Sequence, residues 1–279
     1  MMTEAPVARV ALITGAGRRG GLGQAMARRL ARDGIAIMLH DRGSVGGEIA
    51  PAHGVGTADD LRAICTELRA EGATVDSVTG DLLDECVISE MVRLTVERFG
   101  RLDILVNNAG VGYLFGPLIE MTAEALDAVL GVNLRAVILA TKYAAIEMIG
   151  QASGGRIINI ASQAGKSGFA LATAYVASKH GVVGFTRSAA LELGTHGITV
   201  NAICPNHVTT GLGAWQNTFV AQSRGQSVPE YLSEMRRRIP LGRVGTAEDT
   251  AEAAAFLCSA AAGYITAESL NVSGGEEYH

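Results

Sequence analysis

Short apolar runs alternate along this chain with stretches whose apolar positions recur every three to four residues. The runs are 7–13 (VARVALI), 35–40 (IAIMLH), 74–79, 102–107, 155–161, 198–203 and 268–273. Helical spacing begins near Leu22, with Ala25, Met26 and Leu30 on one face, and returns over 59–71, 84–99, 122–149, 173–195 and 246–260. Continuous apolar strands are the mark of a sheet buried on both faces. Seven of them separated by helices predict an α/β fold, a doubly wound parallel seven-stranded sheet with helices on both faces.

Two segments interrupt the rhythm. Residues 42–58 hold five glycines and one proline, which predicts a loop before the second helix. Residues 207–240 are too long for an ordinary connection, so helical fragments are expected near 217–223 and 228–237. An excursion leaving the carboxyl end of a strand suits a substrate lid, with Gly211 and Gly213 as hinges and Pro229 and Pro240 as stiffeners. A structural flap or subunit contact is the other reading.

With 279 residues, 48% of them hydrophobic, the chain fits one domain over 1–279 that includes the lid. A net charge of -5, and no basic run longer than Arg236–Arg238, argue against a nucleic-acid partner. No run approaches the roughly 18 apolar residues that span a bilayer, so no membrane association is expected. Cys65, Cys86, Cys204 and Cys258 form no CxxC pair, and the N-terminal residues lack a signal-peptide pattern. A cytoplasmic protein with reduced thiols is the expectation.

TGAGRRGGLG, from Thr14 to Gly23, joins the first strand to the first helix. Glycines there let the backbone approach a pyrophosphate, and the helix N-terminus offers unpaired N–H groups to its charge. This Rossmann-type unit lacks the Gly-Lys-Ser/Thr ending of a triphosphate loop. Asp41 closes the second strand, where a carboxylate accepts from the adenosine ribose hydroxyls and repels a 2′-phosphate; NAD is therefore expected. Arg18, Arg19 and Arg42 argue for NADP. Asp81, after the third strand, suits either the adenine amine or a helix cap. Asn107, Asn108, Ala109 and Gly110 follow the fourth strand, where small residues admit a cofactor and amides tie strand ends together.

Tyr175 and Lys179 are one helical turn apart in AYVASKHG, while Ser178 points elsewhere. A nearby ammonium makes a phenol a usable acid/base at neutral pH. The pair means little alone, but Ser162 ends the fifth strand at the edge where ligands bind in this architecture. A serine there donates to the reacting oxygen. No G-x-S-x-G elbow supports a hydrolase.

Together TGAGRRGGLG, Asp81, NNAG, Asn133, Ser162, YVASK and CPNHVTT resemble the short-chain dehydrogenase/reductase family across residues 7–275. The 12 residues between Ser162 and Tyr175 match its usual separation. The resemblance implies hydride transfer between a nicotinamide and a secondary alcohol or ketone, without a metal. It gives Tyr175 the acid/base role, Lys179 the ribose and the tyrosine pKa, Ser162 the substrate oxygen, and Asn133 a water in the proton path. It assigns the cofactor to Gly15, Gly17, Gly21, Leu22, Gly23, Asp41, Asp81, Leu82, Asn108, Ala109, Gly110, Tyr175, Lys179, Pro205 and Val208. It also implies a homotetramer of dihedral symmetry, with 122–149 and 173–195 packed against partner copies.

The chain departs from the family in three places. The glycine turn is two residues longer than TGxxxGxG, the 42–58 loop is extended, and Pro205-Asn206 stands where Pro-Gly is usual. Gln163, Asn206 and His207, with Ser162 and Tyr175, are expected to bind substrate, and Trp215 and Phe219 to supply an apolar wall from the lid. Several polar groups favour a sugar, polyol or related hydroxy compound. The alternative is an NADPH-dependent reductase of 3-oxoacyl thioesters or other ketones. The non-enzyme alternative is a dinucleotide-binding regulator, which the full Ser–Tyr–Lys set disfavours.

Overall fold

The computed structural model describes residues 8–43, 56–112 and 116–278, with the side chain of Leu212 left aside. Residues 44–55 of the expected 42–58 loop lie outside the described residues. The loop's two ends bridge at Gly43 and Thr57.

The apolar runs become β1 (Val10–Thr14), β2 (Ala36–Asp41), β3 (Val75–Thr79), β4 (Ile104–Asn107), β5 (Gly155–Ile160), β6 (Ile198–Pro205) and β7 (Ser269–Val272). They form one parallel sheet in the order β3-β2-β1-β4-β5-β6-β7. The order reverses between β1 and β4, which opens a crevice at the carboxyl ends of these strands.

Alternate residues of each strand serve different cores, as the strand period of two requires. Ala11 and Ile13 meet α1 (Leu22–Arg32), α2 (Ala58–Ala70) and α9 (Ala247–Cys258) through Met26, Leu30, Ile64, Leu68 and Ala254. Leu12 turns to the other face, where Ile88 and Met91 of α3 (Glu85–Phe99) pack with Ala140 and Ala144 of α5 (Ala136–Gln151). Ala189 and Ala190 of α6 (Thr173–Leu193) close that second core. Burying both strand faces drives the layered fold.

The expected continuous helix over 122–149 is broken. α4 (Ala123–Leu130) passes through a π-helical turn, Gly131–Arg135, before α5 begins. Apolar periodicity does not register a single widened turn, because residues on either side keep nearly the same face.

The 207–240 segment carries α7 (Gly211–Ser223) and α8 (Val228–Arg238). α7 starts earlier than expected and takes Gly211 and Gly213 into its first turn. Both are sites of close approach: a Cβ on Gly211 would strike the Arg18 guanidinium, and one on Gly213 the Val208 carbonyl. This segment has its own small core of Ala221, Tyr231 and Met235. Among the described residues, no helix is long and apolar enough to cross a membrane.

Candidate active site

The glycine-rich turn sits in the crevice because its backbone is pressed against the strand ends. Gly15 has φ +66°, and a Cβ there would meet the Ala109 Cα at 2.6 Å. A Cβ on Gly23 would lie 2.7 Å from the Gly15 carbonyl oxygen, so this glycine lets α1 start directly on the turn. The Asn108 amide donates to the Thr14 and Gly15 carbonyls at 2.8 and 2.9 Å, and the Asn107 amide donates to Asn159 at 2.8 Å. The two asparagines thus tie β1, β4 and β5 together, as expected.

Asp41 is buried at the end of β2 and accepts the Gly17 amide at 2.7 Å and the Arg42 amide at 2.8 Å. Burial raises its pKa against these two bonds and the charge of Arg18. The three arginines are placed differently. Arg19 pairs with Glu67, Arg42 pairs with Asp81 at 3.0 Å, and Arg18 lines the crevice. Asp81 is not the cap of α3. Asp84 takes that place by accepting the Cys86 amide.

A cavity of about 510 Å³ runs from this turn to α7. It is lined by Gly15, Gly21, Leu22, Asp41, Asp81, Leu82, Asn108, Ala109 and Gly110, then by Ser162, Gln163, Tyr175, Lys179, Pro205, Asn206, His207 and Val208. All are residues named from the sequence. Gly17, Gly23 and Asn133 stand just behind the lining.

Tyr175 and Lys179 do share one face of α6, with the Lys179 Nζ 5.7 Å from the Tyr175 ring centre. Burial raises the Tyr175 pKa, and a hydrogen bond with Ser162 opposes it. Lys179 is not among the groups that shift it here, and its ammonium donates to the Ile160 carbonyl at 2.8 Å. Burial pushes Lys179 itself down to about 8. Ser162 is held in extended backbone, its hydroxyl accepting the Ala164 amide at 3.1 Å. The turn after it packs on α6: a Cβ on Gly165 would lie 2.8 Å from the Lys179 carbonyl oxygen.

Asn133 lies in the π-turn, fully buried. Its carbonyl accepts the Val111 amide, and its own amide donates to the Val111 carbonyl and to Ser178, at 2.7, 2.7 and 3.1 Å. Ser178 in turn donates to the Tyr175 carbonyl at 2.7 Å. Asn133 therefore locks the strand-β4 exit to the helix that carries Tyr175.

Trp215 departs from expectation. α7 lines the cavity with Gly211, Gly213, Gln216 and Asn217, while Trp215 is not among the lining residues. Its ring stacks on Phe219, with centres 5.5 Å apart. A helix starting at Gly211 gives the cavity face to positions 213, 216 and 217, and 215 falls to one side. Phe169, Val111, Val132 and Ala172 form the apolar wall instead.

Sequence reasoning also missed the carboxyl-terminal segment. The Gln163 amide and the Ser167 hydroxyl donate to Glu277, both at 2.7 Å, and the Asn206 amide donates to Glu276 at 2.6 Å. Glu276 also meets His207 Nε2 and Arg238, each at 3.2 Å. Burial lowers the His207 pKa, opposed by Glu276. Two glutamates beside a glycine pair carry no recognisable motif, and Asn206 and Gln163, which they hold, lie 70 and 114 residues away.

A family model described as enoyl-(acyl carrier protein) reductase matches residues 15–277. The chain is 36% identical to galactitol 2-dehydrogenase of Agrobacterium fabrum, over 96% of each protein. Its fold matches a solved actinorhodin polyketide ketoreductase with NADPH at TM-score 0.87 and 37% identity, over 98% of both chains. Carveol dehydrogenase of Mycobacterium avium, solved with NAD, matches at TM-score 0.89 and 30% identity, over 98% of this chain and 99% of the other.

Proposed function

Since the chain belongs to the short-chain dehydrogenase/reductase family, we propose that Tyr175, Lys179 and Ser162 serve the NAD(P)-dependent interconversion of a ketone and its secondary alcohol. The chain is an NAD(P)-dependent oxidoreductase of this family. One observation carries the site reading: Tyr175, bonded to Ser162 and neighboured by Lys179, lines the same cavity as the glycine turn and Asp41.

The residues fit a nicotinamide dinucleotide. Gly15 and Gly23 let the turn press on the strand ends, so that Gly21 and Leu22 at the start of α1 open on the cavity where a pyrophosphate would lie, and Asp41 would offer its carboxylate to a ribose. The dinucleotide supplies the hydride donor or acceptor. In ketone reduction Tyr175 gives its proton to the carbonyl oxygen, and Ser162 donates a hydrogen bond to the same oxygen. Lys179 holds the nicotinamide ribose and steadies the phenolate left behind. Alcohol oxidation reverses each step.

NAD is the preferred cofactor in this reading. Arg19 and Arg42 are engaged with Glu67 and Asp81, and the Asp41 carboxylate lines the cavity, where it would repel a 2′-phosphate.

Ketone reduction on a substrate with an apolar body leads the substrate readings. The ketoreductase relative supports it, as do Phe169, Val111, Val132 and Ala172 along the cavity. Polyol oxidation is the second reading, supported by galactitol 2-dehydrogenase and by the polar end at Gln163, Asn206 and His207. Nicotinamide absorbance, followed with NADH, NADPH and their oxidised forms over 3-oxoacyl thioesters, cyclic ketones and polyols, separates them. Greatest kcat/KM on a ketone supports the first reading, and greatest kcat/KM on a polyol the second. Turnover of none defeats both.

A further inference from the structure

At the substrate end of the cavity, three polar side chains share one feature. Gln163 directs its Nε2 to Glu277, Asn206 its Nδ2 to Glu276, and His207 its Nε2 to Glu276. A carboxylate accepts and does not donate, so each contact fixes which end of the side chain is the donor. Each glutamate takes one N–H of its amide and leaves the carbonyl oxygen, held on the far side of the group, with the second N–H as the remaining polar atoms. Neutral His207, the form that burial favours, keeps Nδ1 as an acceptor. Among the described residues, neither amide oxygen has a hydrogen-bond donor.

We propose that Glu276 and Glu277 are positioning residues that fix the acceptor ends of this wall toward the substrate, selecting a ketone that carries a hydroxyl group beside the reacting carbon. The proposal rests on the oxidoreductase reading above and adds the substrate's recognition group. A hydroxyl donates to Gln163 Oε1, Asn206 Oδ1 or His207 Nδ1, whereas a substrate without donors leaves these atoms unpaired once water is displaced. The same wall disfavours a free carboxylate, which offers acceptors to acceptors and adds charge near two glutamates. Arg238, reaching Glu276 from α8 at 3.2 Å, joins this arrangement to the lid. Ser273 secures the segment by donating to the Glu277 carbonyl at 2.9 Å and accepting the Glu277 amide at 3.2 Å.

The test compares 2-hydroxycyclohexanone with cyclohexanone as substrates of the full chain under NADH. Wild-type protein is expected to prefer the hydroxyketone by at least about tenfold in kcat/KM. In a Glu276→Gln, Glu277→Gln double variant the new carboxamides donate as well as accept, so the neighbouring amides lose their fixed orientation. The preference should fall to within about threefold of unity. A simple loss of folded protein lowers both rates together and leaves this ratio untouched. The same preference is read without turnover by calorimetry, as tighter binding of trans-1,2-cyclohexanediol than of cyclohexanol to the NAD-loaded protein. Equal turnover of the two ketones, equal binding of the two alcohols, or a ratio the double variant retains overturns the acceptor wall and leaves the oxidoreductase reading intact. Failure to reduce any ketone or oxidise any alcohol strikes that reading instead.

Discussion

Asp41 holds the Gly17 amide at 2.7 Å, so the carboxylate proposed to receive the adenosine ribose also braces the enlarged glycine turn. A Cβ on Gly17 would approach the Asp41 Cβ to 2.9 Å, which leaves only glycine in that contact. Cofactor choice and turn geometry therefore meet at one residue.

This contact predicts a preference for NAD over NADP of at least about tenfold in kcat/KM, equivalent to about 1.4 kcal/mol. Asp41→Asn keeps an acceptor for Gly17 while removing the charge, and should narrow the ratio severalfold. Parallel kinetics with both cofactors check it. A wild-type preference for NADP would mean that Arg18 outweighs the carboxylate.

Lys179 is a buried ammonium held to about 8, so in the unfolded chain it keeps its proton to higher pH than in the fold. That difference makes folding stability rise with pH from about 8 towards the ordinary lysine value near 10.5. Below pH 8 the buried charge costs stability. Lys179→Met should accordingly cut turnover by about a hundredfold or more while leaving Tm equal or higher at neutral pH. A variant with wild-type turnover, or one with a lower Tm, contradicts this.

His40 sits at the cavity edge, its Nε2 3.0 Å from the Gly80 carbonyl oxygen, and burial holds its pKa to about 4. The unfolded chain takes up this proton below the usual value of 6.5, whereas the folded protein does not. Stability is therefore lost as pH falls from about 6.5 to about 4, by up to roughly 3 kcal/mol. Denaturant titrations across that window should show a smaller acid loss in His40→Gln. Identical pH profiles would exclude His40 as the source.

The chemistry was legible in the sequence wherever it depends on short spacing. Tyr175 and Lys179 are four residues apart, Ser162 ends a strand, and Asp41 follows an apolar run, so local periodicity placed each at the sheet edge. Contacts made across the fold were not legible. Glu276 and Glu277 reach Asn206 and Gln163 from 70 and 114 residues away, and their chemistry depends on the sheet having closed. The rotation of α7 turned on where the helix begins, and one residue changes the facing side chain by about 100°. That removed Trp215 from the cavity and put Gln216 and Asn217 there. The π-turn at Asn133 disturbs the apolar pattern too little to be read.

The exposed apolar side chains of α5 and α6 carry the assembly prediction. Ile146 is 56% exposed and Leu191 79%, with Ile138 and Ile149 also at the surface. A homotetramer built through these helices should scatter light with four times the 28.9 kDa chain mass. Ile146→Glu should shift it towards smaller species. A monomer at assay concentration would end this proposal.

The central claim is that the Tyr175 phenol moves the proton that accompanies hydride transfer, and Tyr175→Phe tests it most directly. The substitution keeps the ring and removes only the hydroxyl that bonds Ser162. Steady-state ketone reduction, paired with NADH binding measured by fluorescence titration, separates chemistry from cofactor affinity. Turnover should fall by about a hundredfold to ten-thousandfold with NADH affinity within about threefold of wild type. Turnover near the wild-type rate, or loss of NADH binding in step with activity, would contradict it.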